Sequence, residues 1–109
     1  MTKAEITVLN SGFIFECSGH AGFAEKGSDI VCAGISALCM ALMNRLSVLA
    51  REDIVSVEYC HISDAEVYIE VGFADDGACA VRALEVLETV RAGLEKIEEL
   101  YPEHLSLLC

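Results

Sequence analysis

The strongest constraint on the fold of this chain is a nearly uninterrupted apolar run over residues 30–43. The polar pair Asn44-Arg45 interrupts it, so the run is shorter than the roughly 18–20 apolar residues that a membrane-spanning helix needs. We therefore predict a core helix that ends near Leu49 or Ala50. Because this helix is apolar nearly all round, we expect it to be buried between a sheet and a partner subunit.

Segments with alternating apolar residues predict strands on both sides of this helix. Turn residues at Asn10-Ser11-Gly12 and Ser63-Asp64-Ala65 separate them into two hairpins. In the second strand, Phe13, Phe15 and Cys17 share one face. The predicted strands cover residues 4–9, 13–18, 54–62 and 67–73.

An amphipathic stripe predicts a second helix that ends near Leu100, before Pro102. The resulting order is ββαββα. It predicts an α+β fold, a two-layer sandwich with a buried central helix and a sheet of about four strands. A length of 109 residues is enough for one core and too short for two, so we expect a single domain over residues 1–109.

The charge and the cysteines narrow the classes of function. The chain has 18 acidic and 7 basic residues, a net charge of −11, which disfavours direct nucleic-acid binding and favours basic partners. Several of the six cysteines lie within apolar runs, and no signal peptide precedes the first strand. We therefore expect reduced thiols, a cytoplasmic protein and no membrane association.

The residues best suited to covalent chemistry lie around the start of the central helix. Cys32 is in the first helical turn, where unpaired N–H groups and the helix dipole stabilise a thiolate. His20 lies in the preceding Gly-rich loop and can take the thiol proton. We predict that Cys32 is a nucleophile, that His20 is its general base and that the loop, residues 19–28, closes over the site. The residues that we expect to make this loop mobile are Gly19, Gly22, Gly27 and Ser28.

Three further residues are predicted to support this pair. Asp29 caps the helix, orients the His20 ring, or does both through a water. Ser36 lies one turn after Cys32 on the same face, where it donates a hydrogen bond near the site or bonds its own backbone. Backbone N–H groups at the helix start, near Cys32 and Ala33, are the predicted donors to an oxyanion.

Two other chemistries use overlapping residues. Cys17, His20 and Cys32 offer three zinc ligands, but no clear fourth ligand follows, and we expect neither a metal nor a cofactor. A thiol-redox protein would pair Cys32 with Cys39 or Cys17, but a helical spacing of seven residues separates Cys32 and Cys39 by about 10 Å, too far for a disulfide. His61 and His104 are interpreted as ordinary strand and tail residues.

The segment around His20 and Cys32 resembles the ribosomal-processing cysteine protease family, called Prp. The resemblance is carried by residues 18–25, 27–33 and 36–38, and the tail Tyr101-Pro102-Glu103-His104 is similar to that family's ending. It implies a homodimeric cysteine endopeptidase with Cys32 as nucleophile and His20 as base. It also implies that the substrate is a large-subunit ribosomal protein, which loses a short N-terminal extension by cleavage after an aromatic residue.

Two positions depart from the family pattern. Phe23 stands where Tyr is usual, and Gly34 stands where Ala is usual. They bear on substrate preference and leave the Cys32–His20 pair intact. The alternative function is a non-catalytic, ribosome-associated binding module with the same fold.

Overall fold

The computed structural model describes all residues, 1–109, and consists of five strands and two helices. In chain order the elements are β1 (Thr2–Val8), β2 (Gly12–Ser18), α1 (Ile30–Arg51), β3 (Val55–Ser63), β4 (Glu66–Phe73), α2 (Ala78–Leu100) and β5 (Leu105–Leu108). The predicted α+β class is confirmed, and the predicted elements form with boundaries shifted by only a few residues.

The strands form one sheet in the order β3-β4-β2-β1-β5. All neighbouring pairs are antiparallel except β1 and β5, which run parallel. Phe13, Phe15 and Cys17 of β2 are all buried, which confirms the predicted inward face of that strand. Both helices contribute to the same buried cluster, so the sheet has one covered face and one open face.

The fifth strand was not predicted, and the expected sheet of about four strands is corrected to five. After α2 ends, the chain turns at Pro102 and pairs Leu105 with Thr2 of β1. A segment of four residues is too short to show a clear alternation, and its pairing partner lies at the opposite end of the chain. This pairing carries the C-terminal segment back to the start of β1.

The central helix packs against the core on one side, as predicted, and its other side is open in the single chain, where cover by a partner subunit stays a prediction. Its buried residues recur every three or four positions and face the core, whereas Met40 on another face is 60% exposed. The helix is long and apolar enough to span a membrane by those two measures, which core helices of soluble proteins also satisfy. The buried stripe is Val31, Ile35, Cys39, Leu42, Leu46 and Leu49.

The role of β5 is tested with a matched pair of leucines. Leu105 is fully buried and Leu108 is 63% exposed. We expect Leu105→Ala to lower the free energy of unfolding by about 2–5 kcal/mol, because it opens a cavity in the core. The Leu108→Ala control should change it by no more than about 0.5 kcal/mol. Urea denaturation measures both, and equal small effects would show that the C-terminal segment does not pack as a strand.

Candidate active site

Asp29 caps α1 and fixes the backbone of Cys32. Its backbone is extended, with φ −83° and ψ 100°, and its Oδ1 atom accepts the N–H of Cys32 at 2.9 Å. Cys32 is therefore the third residue of the helix, as predicted from the sequence. A side chain at the N-cap that accepts this N–H satisfies one of the unpaired donors of the first turn.

The same carboxylate also holds the Gly-rich loop. Asp29 Oδ2 accepts the N–H of Phe23 at 3.0 Å and that of Ala24 at 3.3 Å. The N–H of Cys32, together with those of Ala24 and Phe23, lowers the pKa of Asp29 below its usual value. The carboxylate thus bonds the loop backbone rather than the His20 ring, and the capping interpretation of Asp29 is the one that the structure supports.

The cap and the first helical hydrogen bond occupy the N–H groups of Cys32 and Ala33. The Cys32 N–H is donated to Asp29 Oδ1, and the Ala33 N–H is donated to the Asp29 carbonyl at 3.0 Å. Both groups are therefore occupied in this conformation. That N–H groups at the helix start, near Cys32 and Ala33, receive an oxyanion therefore stays a prediction, and these two residues offer no free N–H group for it here.

The loop divides into a fixed stem, residues 19–21, and an exposed tip, residues 22–28. Gly19 has φ +91°, donates its N–H to Ala65 O at 2.8 Å, and lies so close to Met1 that an added Cβ would be 2.8 Å from the Met1 carbonyl oxygen. Ala21 is buried in the core, whereas every residue from 22 to 28 is exposed. His20 is therefore carried by the fixed stem.

His20 and Cys32 line one cleft with a volume of about 390 Å³. Ser36, which is exposed and lies one turn after Cys32, lines it too. On the far side is Asp64, in the β3–β4 turn, whose Oδ2 is 3.2 Å from Lys26 Nζ of the loop tip. Both charged side chains are strongly exposed, so this ion pair between the loop tip and the β3–β4 turn contributes little to stability. The remaining lining residues are Gly22, Ala24, Gly27, Asp29 and Ala33.

A second cavity, of about 270 Å³, adjoins the first at Cys32. The two share Cys32, Ser36 and Asp64, but the second is mainly apolar. Thr2 also lines it and has a buried hydroxyl without a hydrogen-bond partner. Cys32 thus lies between a polar cleft that contains a histidine and an apolar cavity. The apolar lining residues include Cys17, Ile35, Cys39, Met40, Ile62 and Val67.

Three cysteines line the apolar cavity, and they differ in accessibility. Cys17 and Cys39 are buried, whereas Cys32 is only half-buried. A hydrogen bond with Cys39 and burial raise the pKa of the Cys17 thiol, which disfavours its thiolate. The structure contains no group of three side chains placed to hold a metal ion, so Cys17, His20 and Cys32 are not gathered into the zinc site considered above.

His104 belongs to this region, although the sequence indicated only a tail residue. Its Nδ1 lies 2.9 Å from the carbonyl oxygen of Ala21, in the stem of the loop. The Phe23 ring packs edge-on against His104 and Tyr101, with centroid distances of 5.4 and 5.3 Å. No local pattern could have revealed this contact, because it depends on the unpredicted strand β5.

Comparisons with known proteins agree with this geometry. The family described as "Cysteine protease Prp" matches residues 1–106. A relative from Bacillus subtilis, the ribosomal processing cysteine protease Prp, is 34% identical over 94 residues, which cover 85% of this chain and 81% of the relative.

Two solved structures show the same fold along nearly the whole chain. One is the essential ribosomal processing protease Prp from S. aureus in complex with a covalently linked product peptide, with a TM-score of 0.77, 28% identity and coverage of 99% of this chain and 98% of that one. The other is the same S. aureus protease with a substrate peptide, with a TM-score of 0.69, 27% identity and coverage of 98% and 97%.

The cap at Asp29 predicts a pH-dependent loss of stability in Asp29→Asn. Because the pKa of Asp29 is lower in the folded protein than in the unfolded chain, its charge stabilises the fold above the unfolded value of about 3.9. This contribution is lost as the pH falls through the lower, folded value. We expect Asp29→Asn to be less stable than the parent at pH 7 and the difference to shrink below about pH 4.

Urea denaturation at several pH values measures this difference. The control is Asp76→Asn, since Asp76 is exposed and lies outside the site. Its stability should follow that of the parent at every pH. A difference between parent and Asp29→Asn that stays constant from pH 7 to pH 3 would contradict the role of the charged cap.

Proposed function

We propose that this chain, which belongs to the Prp family of cysteine proteases, removes the N-terminal extension of a large-subunit ribosomal protein. The observation that carries the proposal is the common cleft of Cys32 and His20 at the start of α1. The names of the relatives describe ribosomal processing, and one structural neighbour holds a covalently linked product peptide. These findings favour a protease over the non-catalytic binding module.

The proposed reaction is acyl transfer through Cys32. The Cys32 thiol gives its proton to His20, and the sulfur attacks the carbonyl carbon of the scissile bond. His20 then donates the proton to the leaving amine, and the N-terminal extension stays bound to Cys32 as a thioester. Water, deprotonated by His20, hydrolyses this thioester and regenerates the thiol.

The oxyanion requires donors that the helix cap does not use. Cys32 and Ala33 donate to Asp29, so their N–H groups are occupied. Gly22 and Gly27 line the cleft from the exposed tip of the loop. We propose that backbone N–H groups of this tip receive the oxyanion when the tip closes over substrate.

The apolar cavity is the proposed site for the aromatic residue that precedes the scissile bond. It shares Cys32 with the cleft. A substrate side chain bound there therefore places the carbonyl of its own residue, at the scissile bond, near the Cys32 sulfur. Its lining residues include Cys17, Cys39 and Met40, and the sulfur of a methionine makes favourable contacts with aromatic rings. Burial of an aromatic ring also supplies apolar binding energy.

Charge complementarity supports a basic substrate. The net charge of −11 attracts a basic ribosomal protein and repels RNA, so we propose that the enzyme binds its substrate without direct nucleic-acid contact. Because ribosomes assemble in the bacterial cytoplasm, the proposed location is cytoplasmic. All six cysteines are free, as expected for a reducing compartment.

A second copy of this chain is the proposed cover for the inner face of β3. Val57 and Ile62 are 42% and 60% exposed, although their partners on β4, Val71 and Val67, are buried or half-buried. The helices therefore cover these residues of β4 but leave Val57 and Ile62 of β3 exposed. Exposed apolar side chains on one strand face are of the kind that a homodimer buries.

The proteolytic function is tested by intact mass spectrometry of an extension-bearing large-subunit ribosomal protein. The parent enzyme should release one N-terminal fragment. Cys32→Ala should release none, and His20→Ala should slow the cleavage by about 10²–10⁴-fold, because it removes the general base. The matched controls, Cys109→Ala and His61→Ala, change exposed residues outside the cleft and should retain the parent rate.

Two outcomes would contradict this assignment. Cleavage that persists in Cys32→Ala would mean that another residue is the nucleophile. Binding of the extension without cleavage by the parent would indicate the binding module instead.

The dimer is tested by sedimentation equilibrium. The parent chain of 11.7 kDa should sediment as a dimer at micromolar concentration. Val57→Asp should be monomeric, because it would bury an unpaired charge in the interface. The control, His61→Asp, lies on the opposite face of the same strand and should remain dimeric. A monomeric parent, or a dimeric Val57→Asp, would exclude this surface as the interface.

A further inference from the structure

The C-terminal segment reaches back to the residue that follows the proposed base. His104 Nδ1 lies 2.9 Å from the carbonyl oxygen of Ala21, across 83 positions of sequence. A carbonyl oxygen only accepts hydrogen bonds, so Nδ1 of His104 carries the hydrogen in this contact. The bond joins a half-buried imidazole to the stem of the loop.

Ala21 is the point at which the loop enters the core. It is 1% exposed, whereas both of its neighbours, His20 and Gly22, are exposed. On the other side of His20, Gly19 donates its N–H to Ala65. The backbone of His20 is therefore held on both sides, and His104 supplies the hydrogen bond on the C-terminal side.

His104 is itself firmly placed. Its N–H bonds the carbonyl of Tyr101 at 2.9 Å, and its carbonyl accepts the N–H of Thr2 at 3.0 Å. The next residue, Leu105, is fully buried in β5. Phe23, at the start of the loop tip, packs against the His104 ring with the two ring planes at 82°. The imidazole is thus fixed by the sheet on one side and contacts the loop on the other.

We propose that His104 is a positioning residue for proteolysis, which sets the position of His20 by its hydrogen bond to the Ala21 carbonyl. The inference rests on the proposed function, because it takes His20 as the general base. His104 lines neither the cleft nor the apolar cavity, so it acts through the stem and not on the substrate.

The expected consequence follows from the short reach of proton transfer. A general base must lie within hydrogen-bond distance of the group that it deprotonates. A displacement of about 1 Å, caused by a mutation far from the chemistry, can lower the rate by about 100-fold. Loss of the His104 bond frees the Ala21 carbonyl and lets the stem, with His20, move relative to Cys32.

Steady-state kinetics of three variants test the proposal. His104→Ala removes the donor and should lower kcat by about 10- to 100-fold, with KM changed by no more than about twofold. His104→Asn places an amide N–H near the position of Nδ1 and should recover most of kcat. His61→Ala is the matched control, an exposed histidine on β3, and should retain the parent values.

If His104 had only a structural role, His104→Ala would contain less folded enzyme, and the kcat of the folded fraction would not change. Thermal unfolding and active-site titration measure that folded fraction. The positioning role is overturned if kcat of His104→Ala stays within about twofold of the parent. It is also overturned if folded His104→Asn is no more active than His104→Ala, since the hydrogen bond would then contribute nothing.

An NMR readout separates this proposal from the proposed function. The ring resonances of His20 should shift in His104→Ala and stay unchanged in His61→Ala. If the parent cleaves no extension-bearing substrate, the protease assignment fails while a shift of the His20 resonances still supports the positioning contact. Unchanged His20 resonances in His104→Ala would overturn the inference, whatever the activity.

Discussion

The site depends on one carboxylate that serves two segments. The first N–H groups of a helix have no partner within it, and the Asp29 side chain accepts that of Cys32. The Asp29 carbonyl accepts the first helical bond, from the Ala33 N–H. The other oxygen of the Asp29 side chain holds the backbone of the loop at Phe23 and Ala24. Because one group makes both sets of contacts, the position of Cys32, the proposed nucleophile, and the path of the loop beside it are set together. Without this carboxylate, the helix start and the loop would be positioned independently.

The cap also has a chemical consequence, because the Cys32 N–H that it occupies is not free to bind an anion. A thiolate or an oxyanion near Cys32 must share the field of the helix with the negative charge of Asp29, whose lowered pKa keeps it ionised. The remaining stabilisation has to come from His20 and from backbone that moves toward the substrate. The division of the loop into a fixed stem and an exposed tip fits this need for both His20 and movable backbone. The stem that carries His20 is tied down, while the tip lies exposed between Gly22 and Gly27, which both have positive φ and open space around them.

Local patterns were sufficient for the parts of the structure that depend on local contacts. The cap at Asp29, the position of Cys32 in the first turn and the inward face of β2 all follow from residues close in sequence. How much of α1 is covered within the single chain could not be predicted, because it depends on how far a second helix and a sheet of this width extend around it. The strand β5 and the contact of His104 with Ala21 were not predicted from the sequence for a related reason. Their partners lie at the far end of the chain or in the loop, and four residues carry too little periodicity to indicate a strand.

The proposed base lies where the two ends of the chain meet. Met1 limits the space at Gly19, Thr2 donates its N–H to the carbonyl of His104, and His104 bonds the residue after His20. A Gly-rich loop has little conformational preference of its own, so contacts from outside must fix a side chain that it carries. Here those contacts come from the first residues of β1 and from the segment that β1 binds as β5. The fifth strand therefore does more than widen the sheet, since its pairing with β1 holds His104 beside the stem that carries His20.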